Sequence, residues 1–229
     1  MKALAIIPAR GGSKRIPRKN IKNFAGQPII QYSIDAALES GIFTEVMVST
    51  DDNEIADIAK NLNAKVPFMR SEENSSDMAM TVPVLEEVIA EYKKLGQEFE
   101  YVCCIYPTAP FVTAERLKAA YELFKETKVE AVLPIMRFSY PIQRSLKMEN
   151  GYATMFWPEN YNVRSQDLEP AYHDCGQFYF LRVDSLLLQK VLYPKFTLPI
   201  IVPESEAQDI DSEEDWRIAE IKFKLLKKS

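Results

Sequence analysis

Apolar runs typical of buried strands alternate with helical patterns over most of this 229-residue chain. In the helical stretch from Gln27 to Ser40, for example, Ile30, Ile34 and Leu38 recur on one face. An alternation of this kind lines up parallel strands and covers both faces of their sheet with helices. We therefore predict a three-layer, Rossmann-like α/β fold with a mostly parallel twisted sheet, built as a single domain over residues 1–229.

The same periodicity gives the approximate bounds of the elements. The predicted strands are Lys2 to Pro8, Glu45 to Thr50, Val66 to Met69, Tyr101 to Tyr106, Ala131 to Met136, Gly176 to Val183 and Leu198 to Val202. The predicted helices are Gln27 to Ser40, Asn53 to Leu62, Thr81 to Leu95, Ala114 to Thr127, Asp184 to Leu192 and Ser212 to Lys227. Between Arg137 and Glu169 the alternation stops, and a segment rich in Tyr, Pro, Asn and Met indicates an insertion with short strands or a hairpin.

A strongly basic loop follows the first predicted strand. Residues Arg10 to Asn20 contain five cations and the adjacent pair Gly11-Gly12. Paired glycines let the backbone approach a ligand closely, and Arg and Lys supply the charge-assisted hydrogen bonds that phosphates favour. Since open α/β sheets bind ligands at the carboxyl ends of their strands, the loop is interpreted as a triphosphate cradle. A basic surface loop that faces only water is the alternative.

The composition argues against several classes of partner. The formal net charge of −5 is unusual for a general nucleic-acid binder, so the basic loop is a local device. Apolar runs are too short to span a membrane, and the first one leads straight into charge, so we expect neither a leader nor a membrane anchor. Three cysteines without C-x-x-C spacing predict buried thiols in a reducing compartment, and we expect a cytoplasmic protein.

A pair of carboxylates follows the last predicted strand. In the extended segment Asp209-Ile210-Asp211 alternate side chains point the same way, so both carboxylates can face one cation. Phosphoryl transfer usually needs such a pair to hold Mg²⁺. The alternative is an ordinary entry turn, in which Asp211 caps the last helix.

Other polar residues gather near the ends of predicted strands. Arg70 follows one of them, where a lone arginine is most often a solvated charge. The sole histidine, His173, lies just before another and joins Arg164, Gln166 and Gln177 in a polar set. This set suits a ligand with a carboxylate and hydroxyls, because Arg binds carboxylates with two parallel hydrogen bonds. A structural role for the histidine is the alternative.

The stretch from Ile7 to Asn20 resembles the signature of the cytidylyltransferases that activate acidic sugars, the CMP-sialic acid synthetases and their relatives. The resemblance continues in order over nearly the whole chain and implies the fold of the nucleotide-diphospho-sugar transferases. It implies that Arg10, Lys19 and Asp211 are catalytic and that Asp209 and Asp211 hold one or two Mg²⁺ ions. It also implies that CTP is bound by Ala9, Arg10, Gly11, Gly12, Ser13, Lys14, Lys19 and Asn20.

Further segments extend the resemblance to the nucleotide and sugar pockets. Arg70 and Asp77 match the ends of a family segment that helps to form the nucleotide pocket. Tyr106-Pro107-Thr108-Ala109-Pro110 resembles the family's Gln-Pro-Thr-Ser-Pro, with Tyr106 in place of a glutamine at the sugar site. The implied sugar-binding residues are therefore Tyr106, Thr108, Arg164, Gln166, His173 and Gln177.

The segments His173 to Tyr179 and Gln208 to Trp216 look most like the pseudaminic acid branch of this family. The resemblance implies that the anomeric hydroxyl of a nine-carbon acidic sugar attacks the α-phosphorus of CTP, which gives the CMP-sugar and pyrophosphate. Sialic acid, legionaminic acid, Kdo or a sugar phosphate are alternative substrates, and a nucleotide-binding regulator without turnover is an alternative function. By resemblance, residues 137–169 form the dimerisation arm of a homodimer, and a local lid is the alternative.

Overall fold

The computed structural model describes residues 2–76 and 79–227. Its strands are β1 (Ala3–Pro8), β2 (Asn23–Phe24), β3 (Gln27–Pro28), β4 (Glu45–Ser49), β5 (Tyr101–Ile105), β6 (Ala131–Arg137), β7 (Leu146–Glu149), β8 (Tyr152–Met155), β9 (Tyr172–Asp174), β10 (Phe178–Arg182) and β11 (Thr197–Ile201). Its α-helices are α1 (Ile29–Ser40), α2 (Asn53–Asn61), α3 (Thr81–Lys94), α4 (Ala114–Glu126), α5 (Val183–Gln189) and α6 (Glu213–Leu226).

A seven-stranded sheet forms the centre of the molecule, in the order β11-β6-β10-β5-β1-β4, with β9 paired to the distal half of β6. Strands β1, β4, β5, β6 and β11 are parallel, whereas β10 runs antiparallel between β5 and β6. The predicted α/β fold with a mostly parallel sheet is confirmed. The carboxyl ends of β1, β4 and β5 therefore meet at one edge.

Helices cover both faces of this sheet, and β1 shows why. Its alternate side chains point to opposite faces: Ala3, Ala5 and Ile7 join the core under α1, α2 and α4, while Leu4 and Ile6 join the core under α3 and α5. Because both faces are covered, every position from 3 to 7 is fully buried and the strand is a continuous apolar run.

A smaller apolar cluster joins the C-terminal helix to the region that follows β1. Trp216 and Phe223 of α6 pack edge-to-face on Phe24, and Ile16 and Ile210 belong to the same cluster. This packing brings the basic loop and the Asp209–Asp211 segment to the same side of the molecule.

The strand predicted at Val66 to Met69 is wrong, because only an isolated parallel bridge between Met47 and Lys65 is present. Lys65 bonds to β4 on both sides, but Pro67 lacks the N–H that would continue the ladder. The helix predicted from Gln27 begins at Ile29, since Gln27 and Pro28 pair with Asn23 and Phe24 instead.

The insertion contains the predicted hairpin, formed by β7 and β8, with short 3-10 turns around it. Its two ends are joined, because β6 pairs with β9 over Ile135–Arg137 and Tyr172–Asp174. The three cysteines are free and buried, as the sequence predicts. Over residues 2–76 and 79–227, no helix combines the length and the apolar character needed to cross a membrane.

Candidate active site

A cleft with a volume of about 230 Å³ opens at the carboxyl edge of the sheet, between the loops after β1 and β5 and the start of α3. It brings together these predicted site residues: Arg10, Ser13, Lys14, Lys19, Asn20, Arg70, Tyr106 and Thr108. Met80 and Val84 of the α3 region add an apolar wall. A cationic cleft with one apolar side suits a nucleoside triphosphate, whose phosphates and base differ in the same way.

The backbone of the basic loop is held against β4 and against itself. The Ala9 backbone amide donates to the Ser49 carbonyl at 2.9 Å, and the side-chain amide of the buried Asn20 donates from Nδ2 to the Arg10 carbonyl at 2.8 Å. Gly11 lies so close to Asp52 that a Cβ atom would come within 2.6 Å of a carboxylate oxygen. At Gly12, by contrast, a Cβ atom would meet no described atom within 4 Å. The protein itself therefore requires only the first glycine of the pair.

The cations of the loop have different surroundings. Arg10 lines the cleft and donates to the Ser76 carbonyl at 3.0 Å. Arg18 is absent from the described lining of the cleft, because its guanidinium binds Asp52 and Glu54 behind the loop. Arg18 is therefore neutralised by carboxylates and stands apart from the cations that line the cleft.

Lys19 connects the loop to the carboxylate pair. Its ammonium donates to the Ile210 carbonyl at 2.6 Å and lies 3.5 Å from an Asp211 carboxylate oxygen. Arg15 contacts the same oxygen at 2.9 Å. The helix cap is Ser212, with Asp215 completing a capping box, so the alternative role of Asp211 as the cap is wrong. The Asp211 carboxylate is therefore directed to the cations of the loop.

The Asp209 and Asp211 carboxylates are not among the described residues that line the cleft, but the charge of Asp211 acts on Asp209, so the pair fits a cation-binding role. Partial burial, and then the charge of Asp211, raise the pKa of the Asp209 carboxyl, while Lys19 opposes that shift. Within the described part of the chain, no group of three or more His, Cys, Asp or Glu side chains could hold a metal. Such a sparse donor set suits Mg²⁺, which binds one or two carboxylates and takes its other ligands from water and phosphate. The ion itself stays a prediction.

Arg70 forms the buried back of the cleft. Its Nε donates to the Ser49 hydroxyl at 3.0 Å, and a second nitrogen donates to the Ser49 carbonyl. Burial lowers the pKa of Arg70, but its guanidinium remains charged at neutral pH because the ordinary pKa of this group lies far above 7. The alternative of a solvated arginine is wrong. Its predicted companion Asp77 lies outside the described residues.

Tyr106 places a neutral hydroxyl in the cleft. The hydroxyl lies 3.1 Å from the Thr81 hydroxyl, and the ring packs edge-to-face on Tyr179. Burial raises the pKa of Tyr106 to about 12, so the side chain remains protonated at neutral pH and can donate a hydrogen bond.

The remaining predicted sugar-binding residues are not among the described residues that line this cleft. Arg164 is 72% exposed and pairs with Asp167, and Gln166 lines a separate pocket in the insertion. His173 packs on Phe138 with ring centroids 4.5 Å apart. Gln177 is 2% exposed, and its amide donates to the Glu206 carbonyl at 2.7 Å. Their roles toward a sugar stay predictions.

Sequence reasoning missed one set of residues around the site. Asp51 and Asp52 follow β4, the neighbour of β1, and hold both Gly11 and Arg18. The available signal was Ser49-Thr50-Asp51-Asp52 at the carboxyl end of a buried strand, where polar residues seldom serve packing alone.

Comparisons with known proteins agree with this geometry. The sequence profile of the family described as "Cytidylyltransferase" matches residues 4–192. A pseudaminic acid cytidylyltransferase of Campylobacter jejuni subsp. jejuni serotype O:2 is 43% identical, covering 98% of this chain and 97% of that protein. The CMP-N,N'-diacetyllegionaminic acid synthase of Legionella pneumophila subsp. pneumophila is 34% identical, covering 96% of this chain and 95% of that protein.

A solved structure shares the fold at low sequence identity. The CMP:2-keto-3-deoxy-manno-octonic acid synthetase complexed with CTP superposes with a TM-score of 0.72 at 17% identity, covering 100% of both chains. The family match and the curated relatives define a nucleotidyltransferase with this fold. The chain belongs to the cytidylyltransferase family, which confirms the predicted resemblance, and it is a CTP-dependent enzyme.

Proposed function

We propose that this enzyme couples CTP to a nonulosonic acid, with pseudaminic acid as the favoured sugar, and releases pyrophosphate. The observation that supports it most is the contact of Lys19, which lines the cleft, with the Asp209–Asp211 segment, because it joins the proposed triphosphate loop to the proposed cation site. The 43% identical relative named for pseudaminic acid supports the choice of sugar.

In this proposal the loop and the carboxylates divide the work. Arg10, Ser13, Lys14 and Lys19 hold the phosphates of CTP, and Arg70 completes the nucleotide pocket. Asp209 and Asp211 hold one or two Mg²⁺ ions, which neutralise charge on the phosphates when bound. Phosphoryl transfer needs little covalent chemistry from the protein, so positioning and electrostatic stabilisation account for the rate enhancement.

The sugar lies beside Tyr106 and Thr108 in this proposal, with its anomeric hydroxyl directed at the α-phosphorus. The Tyr106 hydroxyl is neutral and donates to a sugar oxygen. Residues Arg164, Gln166, His173 and Gln177 lie outside the described cleft lining of one chain, and a contribution from the insertion would require movement or a second copy.

We also propose a homodimer that associates through the insertion, residues 137–169. Tyr140 is 85% exposed, Tyr152 is 74% exposed, and Met148 and Tyr161 are similarly open to solvent. Exposed aromatic and methionine side chains grouped on one element are typical of an interface. Buried free thiols fit a reducing compartment, and a cytoplasmic location stays a prediction.

The test is pyrophosphate release with CTP and Mg²⁺ against purified pseudaminic, legionaminic, sialic and Kdo acids. We expect the highest kcat/KM with pseudaminic acid. Preference for another of these sugars would keep the reaction and overturn the choice of sugar. Absence of release with all four, from protein that is folded by circular dichroism, would contradict the proposed reaction.

A further inference from the structure

Both ends of the basic loop are attached to one acidic corner. Asp51 and Asp52 follow β4, and the Gly11 amide at the start of the loop donates to an Asp51 carboxylate oxygen at 2.9 Å. At the other end the Arg18 guanidinium makes two hydrogen bonds to Asp52, at 2.5 and 2.9 Å, and a third to Glu54 at 2.6 Å.

The acidic corner is itself held firmly. Asp52 caps α2 by accepting from the Ile55 amide at 3.0 Å, and its own amide donates to the Thr50 hydroxyl at 3.1 Å. Hydrogen bonding to Arg18 keeps the pKa of the Asp52 carboxyl at about 2, so the carboxylate is ionised under all ordinary conditions. The acidic corner therefore offers fixed carboxylates that can hold the long, flexible side chain of Arg18.

Arg18 adopts a left-handed backbone conformation at the start of the 3-10 turn Lys19–Ile21. Its φ of 54° and ψ of 30° lie in the left-handed region, which is unfavourable for a residue with a Cβ atom. Its carbonyl accepts from the amides of Ile21 and Lys22, each at 3.0 Å. The next residue is Lys19, whose ammonium reaches Ile210 and Asp211. The placement of Arg18 therefore sets where the Lys19 side chain begins.

We infer that Arg18 and Asp52, with Asp51, form a clamp that positions the loop, and that Arg18 is a positioning residue and does not bind phosphate. The inference rests on the proposed function, because it takes the loop to be the part of the enzyme that binds the triphosphate. The clamp fixes Gly11 at one end and Lys19 at the other, so Ser13, Lys14 and Arg15, which line the cleft between them, are in place before CTP arrives.

The test compares Arg18→Gly, Arg18→Lys, Asp52→Asn and the Arg18→Gly/Asp52→Asn double variant. Glycine tolerates the left-handed backbone but has no guanidinium, and lysine keeps the charge without the planar fork. We expect Arg18→Gly and Asp52→Asn each to lower kcat/KM for CTP about 10- to 100-fold, since a misplacement of about 1 Å can cost about 100-fold. The KM for the sugar should remain close to that of the wild type.

Two readouts separate a clamp from a phosphate ligand. A clamp predicts that the double variant is no worse than either single variant, because both remove one interaction. A phosphate-binding Arg18 predicts instead that Asp52→Asn preserves or improves CTP binding, since it releases the guanidinium. Hydrogen exchange of the amides in residues 9–19 should accelerate in the free Arg18→Gly and Asp52→Asn proteins if the clamp orders the loop.

Asp184→Asn is the matched control, because Asp184 also makes a two-bond pair, with Arg182, on the opposite edge of the sheet. It should leave the KM for CTP unchanged. Unchanged kcat/KM and unchanged loop exchange in Arg18→Gly, with an active wild type, would overturn the clamp alone. A wild-type protein that neither binds CTP in calorimetry nor releases pyrophosphate would overturn the proposed function instead.

Discussion

At the scale of single residues, the charge available in the site depends on which polar groups each cationic side chain contacts. Arg70 is buried against Ser49, Arg18 is neutralised behind the loop, and Lys19 touches both a carbonyl and a carboxylate at the edge of the cleft. Charges that are already oriented at the reaction centre need no reorganisation during the reaction. Lys19 is therefore the cation whose loss should harm turnover most.

Lys19→Ala should lower kcat by about 100- to 1000-fold, the usual effect of removing one preorganised group that stabilises the transition state. Lys22→Ala is the control, because Lys22 lies in the same segment but pairs with Glu213 outside the described cleft lining. Steady-state pyrophosphate release measures both variants, and thermal unfolding checks that they fold. Near-normal turnover in Lys19→Ala would remove this residue from the mechanism.

The Arg18–Asp52 pair also predicts a pH dependence of stability. The pKa of Asp52 is lowered from 3.8 to about 2, so its stabilising effect is complete above pH 4 and is lost as the pH falls toward 2. Allowing for solvent screening at this partly exposed pair, we expect about 1 to 2 kcal/mol. In urea unfolding, the free energy of unfolding of the wild type should exceed that of Asp52→Asn near pH 6, and this difference should disappear near pH 2. A difference in the free energy of unfolding that increases on acidification would contradict this assignment.

At the scale of elements, α6 does more than complete the core. Its capping-box residue Asp215 accepts hydrogen bonds from the amides of Asp211 and Ser212, so the helix start and the carboxylate pair share one turn. The apolar cluster of Trp216 and Phe223 fixes the helix on Phe24. The geometry of the proposed cation site therefore depends on how this helix begins.

Ser212→Ala should lower the free energy of unfolding by about 1 kcal/mol, because an N-cap side chain satisfies an otherwise unpaired helix amide. Ser212→Gly should cost only a few tenths of a kcal/mol, since glycine is tolerated at that position. Urea unfolding distinguishes them. Equal losses in the two variants would show that the capping hydrogen bond contributes little here.

Elements were also where sequence reasoning worked best and where its errors had clear physical causes. The long apolar runs predicted strands that the structure contains, and the predicted start of the last helix at Ser212 coincides with its N-cap. The strand predicted at Val66 to Met69 is absent because Pro67 interrupts the hydrogen-bond ladder. Hydrophobic periodicity does not register the missing N–H. The loop residues of the cleft were found through the motif of the basic loop, and Arg70, Tyr106 and Thr108 through other segments of the resemblance. The Arg18–Asp52 pair joins distant segments and required the fold.

At the scale of the whole molecule, the insertion is the feature with the most exposed aromatic side chains. Its hairpin is fully exposed along β7, and its aromatic side chains face solvent. Apolar area removed from water contributes about 25 cal/mol per Å², so covering several such rings can support association.

Light scattering coupled to size-exclusion chromatography should therefore report a dimer for the wild type. The Tyr152→Ser/Tyr161→Ser variant should shift the population toward monomer, because it removes exposed aromatic area from the insertion. Leu188→Ser is the control, since Leu188 is 82% exposed on α5, away from that segment. A monomeric wild type at micromolar concentration, or a double variant that stays dimeric, would contradict association through the insertion.

The way the insertion joins the sheet has a consequence for how this architecture can diversify. Its two ends leave and return on adjacent strands, and the Phe138 amide donates to the Ala171 carbonyl at 3.0 Å just beyond the β6–β9 pairing. The β6–β9 pairing thus holds the two ends of the insertion together. The entropic cost of closing a loop grows only slowly with its length, so a longer insertion costs little more than a short one. Insertions of different length and sequence can therefore replace this one between β6 and β9, without a change in the register of the sheet or in the basic loop.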